Sequence, residues 1–294
     1  MSTLVDQPFD LSRRALTRGR YLRDRLATAL VWVAVAVALI PLVLVVGYVI
    51  QKGAGIINVD FFTRTIPTTR TVGPGMGPAV IGTLIITGTA TAIAVPLGVL
   101  AGVYLSEYGA ANRFAAVLRL LADVMAGVPS IVMGLFIYTI WVLRYKQSGL
   151  AGSLALACLM LPIVIRATEA MLKLVSRDLR EASYALGGSR SRTILTVVLP
   201  AALPGIVSGC LLAIARAAGE TAPLLFTIGA IDGFNSRLTG PNTSLSVQIF
   251  ANAQQPFPGA QARAWGAALT LIALVLLLTI VARVVSARFA VRER

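Results

Sequence analysis

Six apolar runs, separated by polar segments, restrict this chain more than any other feature. They extend approximately over Ala27–Ile50, Ala79–Leu105, Val117–Leu143, Leu150–Met171, Ala201–Ala230 and Trp265–Val285. Crossing about 30 Å of hydrocarbon at roughly 1.5 Å per helical residue takes about 20 residues, and each run reaches that length. The expected fold class is therefore an all-α integral membrane protein with six transmembrane helices. Composition agrees: of 294 residues, 57% are hydrophobic and 13% charged, too little polar surface to clothe a soluble globule of this size.

The formal charge of +14 is a topological signal. Nucleic-acid binding needs a basic patch on one folded face with aromatic side chains among the bases, whereas these charges sit at the membrane edges. With the amino terminus inside, the basic residues between Arg13 and Arg25, Arg113 and Arg119, those from Lys173 to Arg192 and those from Arg283 to Arg294 all fall in the cytoplasm. Lys52, Arg64, Arg70, Arg144, Lys146, Arg237 and Arg263 fall outside. That asymmetry follows the positive-inside rule, so both termini are expected to be cytoplasmic, with membrane lipid and no nucleic acid as a partner. The first run, about 24 residues with Pro41 inside, exceeds a signal-peptide core and reads as a retained helix.

Several chemistries are excluded. There is no histidine, which removes a His-based metal site, a Ser-His-Asp triad and a Cys-His dyad. Lys52, Lys146 and Lys173 are the only lysines, and none closes a phosphate-binding G-x-x-x-x-G-K-[ST] loop. The chain is thus expected to be no enzyme, with no metal and no cofactor of its own. Cys158 and Cys210 fall inside spans, where they act as small apolar side chains.

No repeat or low-complexity linker divides the chain, so a basic tail over 1–26 and one transmembrane domain over 27–294 are expected, with a core over 76–286 and a cytoplasmic loop over 172–200. The tail is expected against anionic lipid or as a plain topology anchor. Phe61 and Phe62, in the outer loop from Gln51 to Gly75, are expected on the membrane surface or on another subunit. Leu245–Phe250 is too short to span and is expected as a lid or amphipathic piece at the outer mouth. Gly98 and Gly102 form a G-x-x-x-G face. Pro96, the run Gly127-Val128-Pro129-Ser130 and Pro223 mark kinks or breaks, tolerated where neighbouring protein or a cavity satisfies the freed backbone groups. Several breaks in one chain favour a pathway-lining bundle over a simple anchor.

In the loop, Leu172, Val175, Leu179, Ala182 and Leu186 recur at spacings of three and four, which predicts one face of a helix. Lys173, Arg177, Arg180 and Glu181 take the opposite side, expected to have no buried partner in this chain. Gly187 and Gly188 are expected to end the helix through the left-handed capping conformation, before a second piece over Ser189–Leu199. Such a hairpin lies on lipid or docks into a groove of another subunit. The segment resembles the loop of ABC importer permeases that reads E-A-A, three residues, G, nine residues, I-x-L-P. The matching residues are Glu181, Ala182, Ser183, Gly187, Val197, Leu199 and Pro200, with Ser183 and Val197 as mild departures. The resemblance implies a coupling helix that receives the stroke of a separate ATPase.

Arg216 and Glu220 are expected near the middle of the fifth span, where an ionisable group costs roughly 2.5–3.5 kcal/mol even on the lenient insertion scale. Four residues apart, they share a helix face, either to neutralise each other or to line a solute route in which the guanidinium fork complements an oxyanion. Asp123 and Arg166 are expected at similar depth near the inner face, to pair or to reach the interface separately.

The string Ala215-Arg216-Ala217-Ala218-Gly219-Glu220-Thr221-Ala222-Pro223-Leu224-Leu225-Phe226 resembles the fifth-helix motif of PstA-type permeases of bacterial phosphate importers. Gly82-Thr83-Leu84, Pro96-Leu97-Gly98, Tyr104-Leu105-Ser106-Glu107-Tyr108 and Ala126-Gly127-Val128-Pro129-Ser130-Ile131-Val132 support it. The resemblance implies a MetI-like permease bundle in the bacterial inner membrane, with Arg216, Glu220 and Thr221 on the substrate pathway. Its implied partners are a second, PstC-type permease, two PstB-type ATPase subunits and an extracytoplasmic phosphate-binding protein. Another oxyanion, such as sulfate or molybdate, and a non-transporting signalling scaffold are the alternatives. A membrane enzyme is disfavoured, because no carboxylate pair or metal-ligand cluster faces either interface.

Overall fold

The structure, a computed structural model, describes residues 18–68, 73–109 and 112–289. The first 17 residues of the basic tail, Arg70 and the last five residues lie outside the described residues. The chain divides into two compact units, 1–51 and 52–294. The described residues of the first belong to one apolar helix, α1 (Arg18–Gly53), which passes through Pro41. Its apolar side chains from Leu22 to Val45 are largely exposed, as expected of a helix that faces lipid.

In the second unit α2 (Val59–Thr63) precedes α3 (Gly77–Val103), which widens into a π-helical turn, Tyr104–Tyr108. Then come α4 (Arg113–Gly127), α5 (Ser130–Ile137), a π-helical turn Tyr138–Val142 and α6 (Leu143–Tyr145). The long α7 (Gly149–Leu174) leads to the loop helices α8 (Arg177–Ala185) and α9 (Arg190–Thr193). A third π-helical turn, Ile194–Val198, joins α9 to α10 (Leu199–Ala218), followed by α11 (Ala222–Thr227), α12 (Leu245–Ala253) and α13 (Pro258–Phe289). No strand occurs among the described residues.

The core of this unit is the parallel pair α3 and α7, with α10 packed beside them. Ile86, Ala90 and Ala94 of α3 meet Leu156, Met160 and Val164 of α7, and Ile206, Cys210 and Ala213 of α10 complete the cluster. The G-x-x-x-G face makes the close approach possible. A Cβ on Gly98 would stand 2.7 Å from Val164 Cγ1 and one on Gly102 would stand 2.6 Å from Thr168 Cβ, so neither position has room for a side chain.

Among the described residues five helices are long and apolar enough to cross a membrane, and the pair 113–127 with 130–145, bent by 105°, brings the number to six where the pair counts as one broken span. The third apolar run therefore does not cross as one helix. Pro129 is the cause: it donates no N–H and forces the preceding residue out of the helical region, and Val128 is extended at φ −70°, ψ 128°. The fifth run breaks as well, at Gly219-Glu220-Thr221 between α10 and α11. Pro223 enforces this break, because its ring excludes the carbonyl four residues earlier from a continuing helix.

Three local expectations are corrected. Phe61 is fully buried with Met76, Ala79, Leu245 and Ala267, while only its neighbour Phe62 is exposed. α12 is no surface lid: Leu245, Ser246, Val247, Gln248 and Asn252 are all buried. Its polar side chains are satisfied locally, Gln248 donating to Thr243 Oγ1 at 3.0 Å and Asn252 to Gln248 Oε1 at 2.9 Å. The periodic face from Leu172 to Leu186 is also split between two helices. Leu172 is buried at the end of α7, Val175 is extended at ψ 124°, and Leu179 and Leu186 are exposed on and after α8.

Candidate functional site

Two broken helices meet at one cavity. The α4–α5 break from Gly127 to Ser130 forms one wall, α7 supplies Leu159, Met160 and Ile163, α10 supplies Ala213, Arg216 and Ala217, and Glu220 completes the lining. The cavity measures about 260 Å³. Breaks are stable at this depth because a cavity, unlike lipid, accommodates the freed backbone groups. The first turn of α5 starts at Ser130 beside the cavity, and the partial positive charge of a helix amino terminus favours an anion there.

Among the described residues Arg216 is the only basic one lining this cavity, and it stands opposite the middle of α7. Its side chain is 67% exposed, and its Nε lies 3.7 Å from Glu220 Oε1, close enough for an ion pair and too far for a hydrogen bond. Glu220, 19% exposed, does not continue the helix face of Arg216, because α10 ends at Ala218 and the pair bridges the break. The helix-face argument is thus corrected, although the two charges do meet. Ser246 Oγ of α12 donates to the Glu220 carbonyl at 2.9 Å, which ties the break to the bundle. Thr221 caps α11 inside the same break, its carbonyl accepting from Leu224 and Leu225, and it does not line the cavity.

One helical turn from the cavity, toward the end that carries α8, Arg166 Nε donates to Asp123 Oδ1 at 2.9 Å. The sequence places these two residues at similar depth and leaves open whether they pair; the structure pairs them, and adds Glu169, the hub beside them that the sequence reading missed. Glu169 is 2% exposed and accepts from Arg119 Nε at 2.7 Å, Lys173 Nζ at 2.8 Å and Arg166 Nη1 at 3.0 Å. The signal was present: Arg166, Glu169 and Lys173 fall at helical spacings of three and four, and Arg119 and Asp123 repeat the spacing of four on α4. Arg119 also donates to the Leu105 carbonyl at 2.6 Å, so the cluster fastens α4 and α7 to the end of α3.

At the loop, Glu181 and Ala182 are exposed on α8, and Ser183 Oγ pairs with Thr193 Oγ1 at 2.8 Å, which closes the hairpin of α8 and α9. Gly187 adopts φ +80°, the left-handed conformation expected of it. Leu199 and Pro200 lie where the π-helical turn passes into α10. Leu186 is 90% exposed and Leu179 and Tyr184 are exposed beside it. The polar side of α8 departs from expectation, because Arg180 does have a buried partner, Glu107, at 2.6 Å. Among the described residues no group of three or more His, Cys, Asp or Glu side chains is placed to hold a metal ion.

Residues 94–291 match the family described as binding-protein-dependent transport system inner membrane component. The chain is 44% identical over 278 residues to the phosphate transport system permease protein PstA of Yersinia pestis, covering 94% of each chain. It is 42% identical to the phosphate transport system permease protein PstA 1 of Mycobacterium tuberculosis CDC 1551 / Oshkosh, over 99% of this chain and 97% of the relative. Among solved structures, a subunit of a bacterial ABC transporter importing the acidic polysaccharide alginate superposes with a TM-score of 0.63 at 13% identity, over 92% of this chain and 99% of that one. A chain of the inward-facing methionine transporter MetNI gives 0.56 at 19% identity, over 71% and 91%. These likenesses, at low identity, show a shared permease fold. The chain belongs to the binding-protein-dependent transport system inner membrane component family and, within it, stands with the permeases named PstA.

Proposed function

We propose that this chain is the membrane permease subunit of an ATP-driven importer that carries inorganic phosphate into the cytoplasm by alternating access. The observation that carries the reading is Arg216, an exposed guanidinium in a cavity built from two helix breaks. A planar guanidinium fork suits two oxygens of a phosphate, and the amino terminus of α5 adds partial positive charge from another wall. Glu220 is held near enough to compete for the same arginine, which gives the site a way to release its anion. The names of the PstA relatives, phosphate transport permeases, support the choice of phosphate.

ATP is hydrolysed on a partner, since no phosphate-binding loop exists in this sequence. The assembly in this reading contains a second, PstC-type permease, two PstB-type ATPases and an extracytoplasmic phosphate-binding protein. Glu181, Ala182, Ser183, Gly187, Leu199 and Pro200 form the loop that meets the ATPase in the cytoplasm. The protein lies in the bacterial inner membrane with both termini cytoplasmic, because that orientation places most of the Arg and Lys inside.

Radiolabelled phosphate uptake, with sulfate as competitor, tests the reading in cells that lack other phosphate importers. Arg216→Lys is expected to keep membrane abundance and lose about tenfold in uptake, the equivalent of one charged hydrogen bond. Arg216→Gln is expected to lose more. If Arg216 only neutralises Glu220, the double variant Arg216→Gln/Glu220→Gln recovers transport, because it leaves no unpaired charge. Recovery to near wild-type uptake rejects the substrate contact; an inserted but inactive double variant supports it.

A further inference from the structure

Both helices of the cytoplasmic hairpin converge on one residue outside it. Arg180 of α8 sends Nη1 to Glu107 Oε2 at 2.6 Å and Nη2 to the Leu172 carbonyl at 2.8 Å. Arg190 of α9 donates to the Glu107 backbone carbonyl, and its guanidinium sits 4.6 Å from the centre of the Tyr108 ring. Glu107 is buried, and Ser106 Oγ donates to its other carboxylate oxygen at 3.2 Å. It lies in the π-helical turn that ends α3, while Leu172 lies in the last turn of α7. These two helices form the core pair of the bundle, and α7 carries Leu159, Met160 and Ile163 on the cavity wall.

We infer that Glu107 and Arg180 are positioning residues for transport: a buried clamp through which movement of the coupling hairpin is delivered to α3 and α7 together. The argument rests on the importer reading above. A hairpin held only by its two chain connections would swing when pushed, since α8 is flanked by an extended residue, Val175, and by Gly187 in the left-handed region. The forked arginine removes that freedom because it binds a side chain of one helix and a carbonyl of the other at once, which a point-charge lysine does less well. Arg190 holds the second helix of the hairpin to the same residue, so the hairpin moves with the bundle and not against it. Charged hydrogen bonds inside a buried site are stiff, and this placement connects an exposed docking surface to the cavity wall through one carboxylate.

The test uses the assembled importer, with its ATPase subunits and phosphate-loaded binding protein, reconstituted in proteoliposomes. Phosphate imported and ATP hydrolysed are measured on the same preparation. Glu107→Gln keeps the size of the side chain and removes its charge. It is expected to lower the ratio of phosphate imported to ATP hydrolysed by about tenfold, in the range found for residues along a coupling route. Arg180→Lys, which retains one cation and loses the second arm, is expected to give an intermediate ratio. An unchanged ratio in assembled Glu107→Gln complex overturns the inference. So does a loss of uptake and hydrolysis in equal proportion with loss of assembled complex, which marks a folding role only. Failure of the importer reading itself looks different, because the wild-type complex then imports no phosphate at all.

Discussion

Glu169 holds three cations at once while its own surface is almost wholly out of solvent. Replacing it by Gln leaves Arg119, Arg166 and Lys173 crowded without the carboxylate that gathered them. The three partners keep 26%, 37% and 59% exposure, so water screens part of the penalty, and a loss of about 3 kcal/mol or less is expected. Thermal unfolding of the purified variant in detergent measures it, and an unchanged midpoint contradicts the hub assignment. Gly187 is a residue-scale case of the opposite kind. A Cβ there meets nothing within 4 Å, so the whole penalty of Gly187→Val comes from φ +80°, about 1–2 kcal/mol for an L side chain and confined to the hairpin. The variant is expected to insert at normal abundance while hydrolysing ATP without matching uptake, and normally coupled transport contradicts that expectation.

Helix on helix, the bundle depends on two contacts that leave no space for adjustment. Gly134 of α5 faces α11 so closely that a Cβ would fall 2.5 Å from Pro223 Cα. Backbone meets backbone there, which joins the two half-helices that follow the two breaks. Gly134→Ala is expected to push α11 away, destabilise the protein by about 1–3 kcal/mol and reduce uptake by reshaping the cavity. The second contact fixes α12: Thr83 Oγ1 of α3 accepts from the Leu245 N–H at 2.8 Å, at the first residue of that helix. Thr83→Val preserves shape and leaves a buried N–H unsatisfied, with an expected loss of about 1–3 kcal/mol. Thermal unfolding checks both variants, and a neutral result for Thr83→Val shows that α12 is held by apolar packing alone.

At the scale of the whole molecule, the orientation proposed from charge has a direct test. Leu186→Cys places a thiol at an exposed site beyond α8, whereas the native Cys158 and Cys210 lie within spans. A membrane-impermeant maleimide is expected to label it in inside-out vesicles and not in intact cells, and labelling of intact cells inverts the topology. The apolar runs and the helix breakers were legible in the sequence, because each depends on run length, residue type or proline stereochemistry within one segment, and so was the similar depth of Asp123 and Arg166. The family resemblance was legible for a similar reason, since its motifs are short contiguous strings. Partners separated by long stretches of chain were not legible: Glu107 with Arg180, Glu169 with Arg119, and Phe61 with Leu245. Local pattern also misplaced Glu220 on the helix face of Arg216, because it does not report where Pro223 ends the helix. The sequence alone determined that this chain crosses a membrane as helices and where those helices weaken. Only the tertiary structure decided that two of the weak points share one cavity and that the hairpin is clamped through one buried carboxylate. The physical reason is that helix formation and insertion depend on neighbours in the chain, whereas burial and charge pairing depend on neighbours in space.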